Sequence, residues 1–289
     1  MIKKSVYCFL IACLALASCQ TESKKEDPAT TVSATPAASA NRMDSGKTEV
    51  NDLTDFKFQM VISNIPSPFE TIIELTKVGI EFNKDLMNKT ENEKKYLTTT
   101  QKALNYGIYG VDLAYLATNK GNTQGTKYFI TTHNLAASLD ATEGLDKFAG
   151  SRMDGHWDNK DTVAKVMDEA YAETDKYLRS GERQLAATQI LTGSWVESQY
   201  ITLNGMKGLT KNEQNGFLFQ KLYEQKLHIG HLNSLLQEYA KEKEFAPVIN
   251  KLSGLNDEFK KIATVDDLTK EKVSELASEI AEVRALIIQ

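Results

Sequence analysis

Cysteine is scarce in this 289-residue chain and confined to one end: the three are Cys8, Cys13 and Cys19. The first two lie in an apolar stretch, Val6 to Ala17, that reads as export signal and leaves with it. The mature protein then keeps only Cys19, which excludes a disulfide framework, a Cys-ligated zinc site and a catalytic thiol. Nor is there a block of lysine and arginine. The net charge is −5 at pH 7, and an acidic chain without a basic patch is not built to bind phosphate backbones. The Val6–Ala17 stretch falls well short of the ~20 residues that a spanning helix needs. A serine elbow, a Walker loop, a Rossmann glycine pattern and HExxH are all missing. No cofactor is implied.

What is present begins with an address. Lys3 and Lys4 form a basic n-region, and Leu16-Ala17-Ser18-Cys19 closes the apolar stretch. Small residues at 17 and 18 and leucine three before the cysteine resemble the lipobox of bacterial lipoproteins. The resemblance implies cleavage after Ser18 and acylation of Cys19. Two or more acyl chains make anchoring stable, each buried CH₂ adding ~0.8 kcal/mol. Gln20 stands where an aspartate would favour inner-membrane retention, so the expected destination is the outer membrane. Glu22, Lys24, Lys25, Glu26 and Asp27 resemble the charged export signals of Bacteroidetes surface lipoproteins. Residues 20–50 are rich in Ser, Thr, Ala and Pro without apolar periodicity, and read as a disordered tether reaching roughly 30 Å.

Beyond the tether, helix signals dominate. The sequence predicts an all-α bundle of about nine helices, arranged as a main helical domain over 51–204 and a three-helix segment over 205–289, separated by the glycine-containing stretch 204–216. Phe56, Phe58, Met60 and Ile62 alternate and predict an extended segment lying on the body. Ser67-Pro68-Phe69-Glu70 is a capping box with proline at the first helical position. Ile72, Leu75, Gly79, Phe82 and Leu86 then predict one buried stripe. A second capping box, Thr90 with Glu93, predicts a helix running to about Asn119. That helix is apolar nearly all round, with Asn105, Asp112 and Asn119 on one narrow polar edge, and such a helix lies at the domain centre. Gly107 and Gly110 each cost it ~1 kcal/mol against alanine. Close approach of another backbone offsets that cost, or a ligand lies on the glycine face. No solenoid repeat fits the spacing.

Ile65-Pro66-Ser67-Pro68-Phe69-Glu70 and Tyr106-Gly107-Ile108-Tyr109-Gly110-Val111-Asp112-Leu113 resemble segments of uncharacterised all-helical lipoproteins of Bacteroidetes, over residues 65 to 205. The resemblance implies the localisation and the all-α class. It brings no activity.

Candidate chemistry is sparse. Glu197 falls on the helical side of Ile190, Gly193 and Tyr200, an apolar face. There it forms a buried ion pair or a hydrogen bond to a tyrosine, or stands as an acid with a raised pKa. Asp112, three before Tyr115, is a second such acid. His228 and His231 are spaced to reach one metal, but no acid completes a set, so they are weak candidates only. Asp154, Asp158, Asn159 and Asp161 lack the EF-hand order, and Asp158 or Asn159 serves to cap the next helix. His133 reads as a core-edge histidine. The expected function is a non-enzymatic, membrane-tethered binding or assembly component of the cell envelope. It would engage the bilayer through Cys19 and an envelope protein, a glycan or a small ligand through the body. Two readings compete: a small-molecule receptor with an aromatic pocket near Gly107, Tyr109, Trp195 and Tyr200, and a hydrolase using Glu197.

Overall fold

The computed structural model describes residues 56–61, 64, 67–118, 124–143, 145–146, 159–180 and 183–289. The lipobox, the tether, Ile62, Ile65, Pro66, Asn119, Phe148, the loop residues 154–158 and Gly181 lie outside them. The fold is all-α, with no strand among the described residues. Eight helices of ten residues or more follow in order: α1 Pro68–Lys77, α2 Thr99–Leu116, α3 Gly125–Ser138, α4 Lys160–Ser180, α5 Gln184–Met206, α6 Gly216–Leu236, α7 Ala246–Lys260 and α8 Lys270–Ile287. None of the described helices is long and apolar enough to cross a membrane.

Helices α2 and α5 form the centre. Every residue from Ala103 to Leu116 is buried, as is nearly all of α5 from Ala187 to Leu203. Neither helix has a polar face to offer water, so both must be wrapped. Helix α3 covers α2, α1 and α4 pack against both, and α8 lies on α5 while pairing with α7. The described residues fall in one compact unit, and α5 runs without a break past position 204 to Met206.

The α2–α5 crossing explains the costly glycines. A Cβ on Gly193 would overlap the Leu104 carbonyl, and one on Gly107 would overlap the backbone of Ile190 and Ser194. Ser194 Oγ donates to both the Ile190 and the Gly107 carbonyl oxygens, at 3.1 and 3.3 Å. Gly110 serves another purpose, leaving room for the Tyr171 hydroxyl, which donates to Tyr106 O at 2.5 Å. The Tyr106 and Tyr171 rings stack with centroids 4.9 Å apart.

Several local expectations need correction. Residues 56–61 are helical rather than extended: Phe58 and Val61, three apart, are buried, while Phe56 and Met60 face out. The stripe from Ile72 to Leu86 is not one helix. Helix α1 stops at Lys77, where Gly79 takes φ +76°. Gly79 N–H then bonds Thr76 O and Ile80 N–H bonds Leu75 O, each at 3.3 Å, the paired bonds of a Schellman stop. Thr90 and Glu93 do not open the central helix. Residues Thr90–Lys95 form a 3₁₀ turn, and α2 starts eight residues later on a different capping box. There Thr98 Oγ1 accepts from Gln101 N–H, and Gln101 Oε1 accepts from Thr98 N–H. Thr90–Glu93 and Thr98–Gln101 offered two similar boxes, and the second is the one that opens the helix. In α4, Val163, Met167, Ala170, Thr174 and Leu178 are buried and Tyr177 is exposed. Asn159 Oδ1 caps α4 by accepting from Thr162 N–H at 3.0 Å.

Two glycine-to-alanine changes should separate close approach from mere conformational freedom. Gly193→Ala should cost about 3 kcal/mol or more, because backbone meets the new methyl. Gly254→Ala, in α7 with nothing within 4 Å of a new Cβ, should stabilise by about 0.5–1 kcal/mol. Urea denaturation of both variants checks the pair.

Candidate functional site

The polar edge of α2 faces protein, not solvent. Asn105 and Asp112 are both 0% exposed, and with neighbouring tyrosines they hold the segment 83–96, a strap of two 3₁₀ turns, Lys84–Leu86 and Thr90–Lys95. Such a segment has few backbone bonds of its own, so side chains must satisfy its N–H and C=O groups. Asp112 Oδ2 accepts from Asn88 N–H at 2.9 Å. Tyr109 OH donates to Lys89 O at 2.7 Å, and Tyr128 OH, from α3, donates to Asn88 O at 3.0 Å. Asn83 N–H donates to Tyr115 OH at 2.8 Å. Asn88 Nδ2 reaches Tyr96 OH at 2.8 Å.

At the heart of this network is one buried ion pair. Arg284 of α8 donates from Nε to Glu197 Oε2 at 2.5 Å and from Nη2 to Oε1 at 2.8 Å. The same Nη2 donates to Leu86 O of the strap at 3.0 Å. The guanidinium carbon sits 4.3 Å from the centre of the Tyr200 ring, a cation–π contact made strong by the exclusion of water. Glu197 is 0% exposed. Burial works against the Arg284 charge, but the attraction and hydrogen bonds of Glu197 outweigh it and hold the guanidinium charged well above its ordinary range. Asp112 is pushed well above the usual carboxylate range, by burial first and by the Glu197 carboxylate second, against the pull of Arg284 and the Asn88 N–H. Asp112 Oδ1 has no hydrogen-bond partner. Nearby, Asn105 Nδ2 donates to Ile287 O at 2.9 Å, satisfying one of the carbonyls left open at the end of α8.

The residues singled out from sequence therefore separate into three places. Asp112, Glu197 and Tyr200 converge on Arg284, and Tyr109 joins them through the strap. Gly107 belongs to the helix crossing. Trp195 points to α6, where its Nε1–H donates to Gln225 Oε1 at 3.1 Å. Asp112 is as deeply buried as Glu197, which the polar edge of α2 did not suggest. The residue that sequence reasoning missed is Arg284. It stands four after Ile280 and three before Ile287, within the apolar stripe of α8, and a charge in that register was the available signal.

His228 is buried and His231 half-buried, with no partner for either Nδ1. Burial lowers the His228 imidazole pKa. Among the described residues no third histidine, cysteine or carboxylate completes a metal set with them. His133 Nε2 lies 2.9 Å from Asp146 Oδ1 at the surface.

A cavity of about 600 Å³ opens on another side of α5. Phe58, Phe69, Tyr171, Leu178, Ile190 and Leu191 give it apolar walls, and Ser67, Asp168, Asp175 and Arg179 a polar rim. The rim groups are paired among themselves: Ser67 Oγ donates to Asp168 at 2.6 Å, and Arg179 Nε to Asp175 at 2.9 Å. Gly107, Tyr109, Trp195 and Tyr200 take no part in its lining. Compared with known proteins, the chain matches no family model, no curated protein and no solved structure.

Breaking the pair from one side should be worse than removing it. Glu197→Leu or Arg284→Met alone should each cost ~3–5 kcal/mol, because a buried charge loses its partner. The double variant Glu197→Leu/Arg284→Met should cost less than the two singles added together. A double-mutant cycle in urea reads the coupling.

Proposed function

We propose that this chain is a lipid-anchored, non-enzymatic binding or assembly component of a bacterial cell envelope, held in the outer membrane through acylated Cys19. The observation that carries the reading is the sequence Leu16-Ala17-Ser18-Cys19 followed by a charged, Ser-, Thr-, Ala- and Pro-rich stretch. The body supports it by what becomes of the acids. Glu197, the strongest candidate for acid chemistry, is enclosed and engaged by Arg284 on both oxygens. A general acid or base must reach a substrate, so this pair suits architecture. The partner is an envelope protein, a glycan or a small ligand.

A second reading, a small-molecule receptor, is favoured by the cavity beside Tyr171. Its volume falls within the ~300–1,000 Å³ of ligand sites, and apolar walls with a few polar groups are their usual composition. The packed crossing at Gly107 and Gly193 counts against a ligand on the glycine face.

The address and the binding role are tested separately. Cys19→Ala should abolish acylation and move the protein from the detergent phase to the aqueous phase. A variant that still carries lipid and stays with the membrane fraction would refute the anchoring. Crosslinking in intact envelopes followed by affinity capture should recover a defined protein or glycan. A small ligand copurifying alone would transfer the assignment to the receptor reading, and recovery of neither would sink the binding role.

A further inference from the structure

Two carboxyl groups and one cation share an enclosed space where α2, α5, α8 and the strap meet. The hydrogen bonds divide the charge between them. Glu197 receives an N–H from Arg284 on each oxygen, the pattern of an ionised carboxylate. Arg284 has little left for Asp112, since its Nη2 is also shared with Leu86 O. Asp112 receives only the Asn88 N–H, on Oδ2. Its Oδ1 is buried with no donor facing it, and the Glu197 carboxylate lies close enough to raise the Asp112 pKa. Two carboxylates cannot both ionise cheaply beside one cation away from water. A bare, buried oxygen next to an ionised carboxylate is satisfied if it carries a proton and donates it.

We propose that Asp112 and Glu197 hold a single proton between them, carried on Asp112 Oδ1 and donated to Glu197, and that this proton clamps the strap 83–96 and helix α8 to the core. The clamp is proton-linked because its loss sets two negative charges against one guanidinium. Asp112 then competes with Glu197 for Arg284, and Arg284 is what ties α8 to Leu86 of the strap. The groups facing Asp112 leave it as the titrating site. From α5 comes Glu197 and from α8 Arg284. Tyr109 and Tyr115 of its own helix, Tyr96 of the strap, Tyr128 of α3 and Tyr171 of α4 complete the surroundings, and burial raises each phenol above its ordinary value. None of these tyrosines ionises in the neutral range.

The sign of the pH effect follows. A carboxyl whose folded pKa is raised contributes stability that is whole below its unfolded value of ~3.9 and declines as pH rises toward the folded value. Relative to Asp112→Asn, which keeps a donor and cannot ionise, the wild-type unfolding constant should therefore rise by up to about tenfold per pH unit above ~pH 4. Amides of residues 83–96 should exchange faster with rising pH in the wild type than in Asp112→Asn, after correction for the intrinsic rate. The full chain also offers a direct readout. Infrared spectra at about pH 7, where ordinary carboxyls are ionised, should retain a protonated carboxylic-acid C=O band. That band should disappear in Asp112→Asn and survive in Glu279→Gln, which removes another carboxyl that burial raises. Absence of the band in the wild type, or its loss in Glu279→Gln, would overturn the proposal whether or not Asp112→Asn folds. So would stability profiles of wild type and Asp112→Asn that run parallel from ~pH 5 to ~pH 9.

Discussion

Everything in this fold depends on the backbone contact between α2 and α5. Two helices without a polar face touch at Gly107 and Gly193, closer than any side chain permits. Once they touch, they form a central pair, largely apolar on α2 and mixed on α5, that is shut away from water. Helices α1, α3, α4 and α8 are its cover, and each is amphipathic enough to present one face inward and one outward. The strap 83–96 closes the remaining side, where α2 carries its polar edge. That edge would be a liability in a dry core, so all but Asp112 Oδ1 is matched: a carboxyl oxygen for an N–H, phenol hydroxyls for carbonyls, an amide for the end of α8.

The buried ion pair answers a different need from the crossing. Apolar packing alone tolerates considerable rearrangement before stability is lost. A bidentate Arg284–Glu197 pair allows one placement of α8 on α5, because any other leaves a charge alone in the interior. Such pairs add little net stability, since desolvation consumes most of the Coulomb gain. Their contribution is specificity. Arg284 also reaches Leu86 and lies over Tyr200, so a single side chain aligns the strap, α5 and α8 together.

Much of this was legible in the sequence and some was not, for identifiable reasons. The all-α class, the central position of the Gly107 helix and the partly desolvated surroundings of Glu197 follow from periodicity, which reports burial directly. Helix ends were less legible. Thr90–Glu93 and Thr98–Gln101 both satisfy the capping pattern, and only tertiary packing chooses between them. Gly79 was read as one position in a continuous stripe, whereas its φ of +76° stops the helix. Asp112 was placed at the margin because a narrow polar edge looks the same whether it meets water or a hydrogen-bonded strap. The partner of Glu197 is 87 residues away in sequence, beyond the reach of any local pattern. An arginine inside the apolar stripe of α8 was its only trace.

That separation shapes how the chain comes together. Helix α8 is made after the other seven helices described, so on the ribosome Glu197 waits for its cation while the rest of the body is already available. A nascent chain holding α2 and α5 but not α8 carries acids that resist burial and a strap with one anchor missing. The contact that completes the network is a long-range one, of the kind whose loop-closure entropy must be met before it forms. Translation order and electrostatics thus meet in one side chain: the arginine that completes the buried network belongs to the last of the described helices to be made.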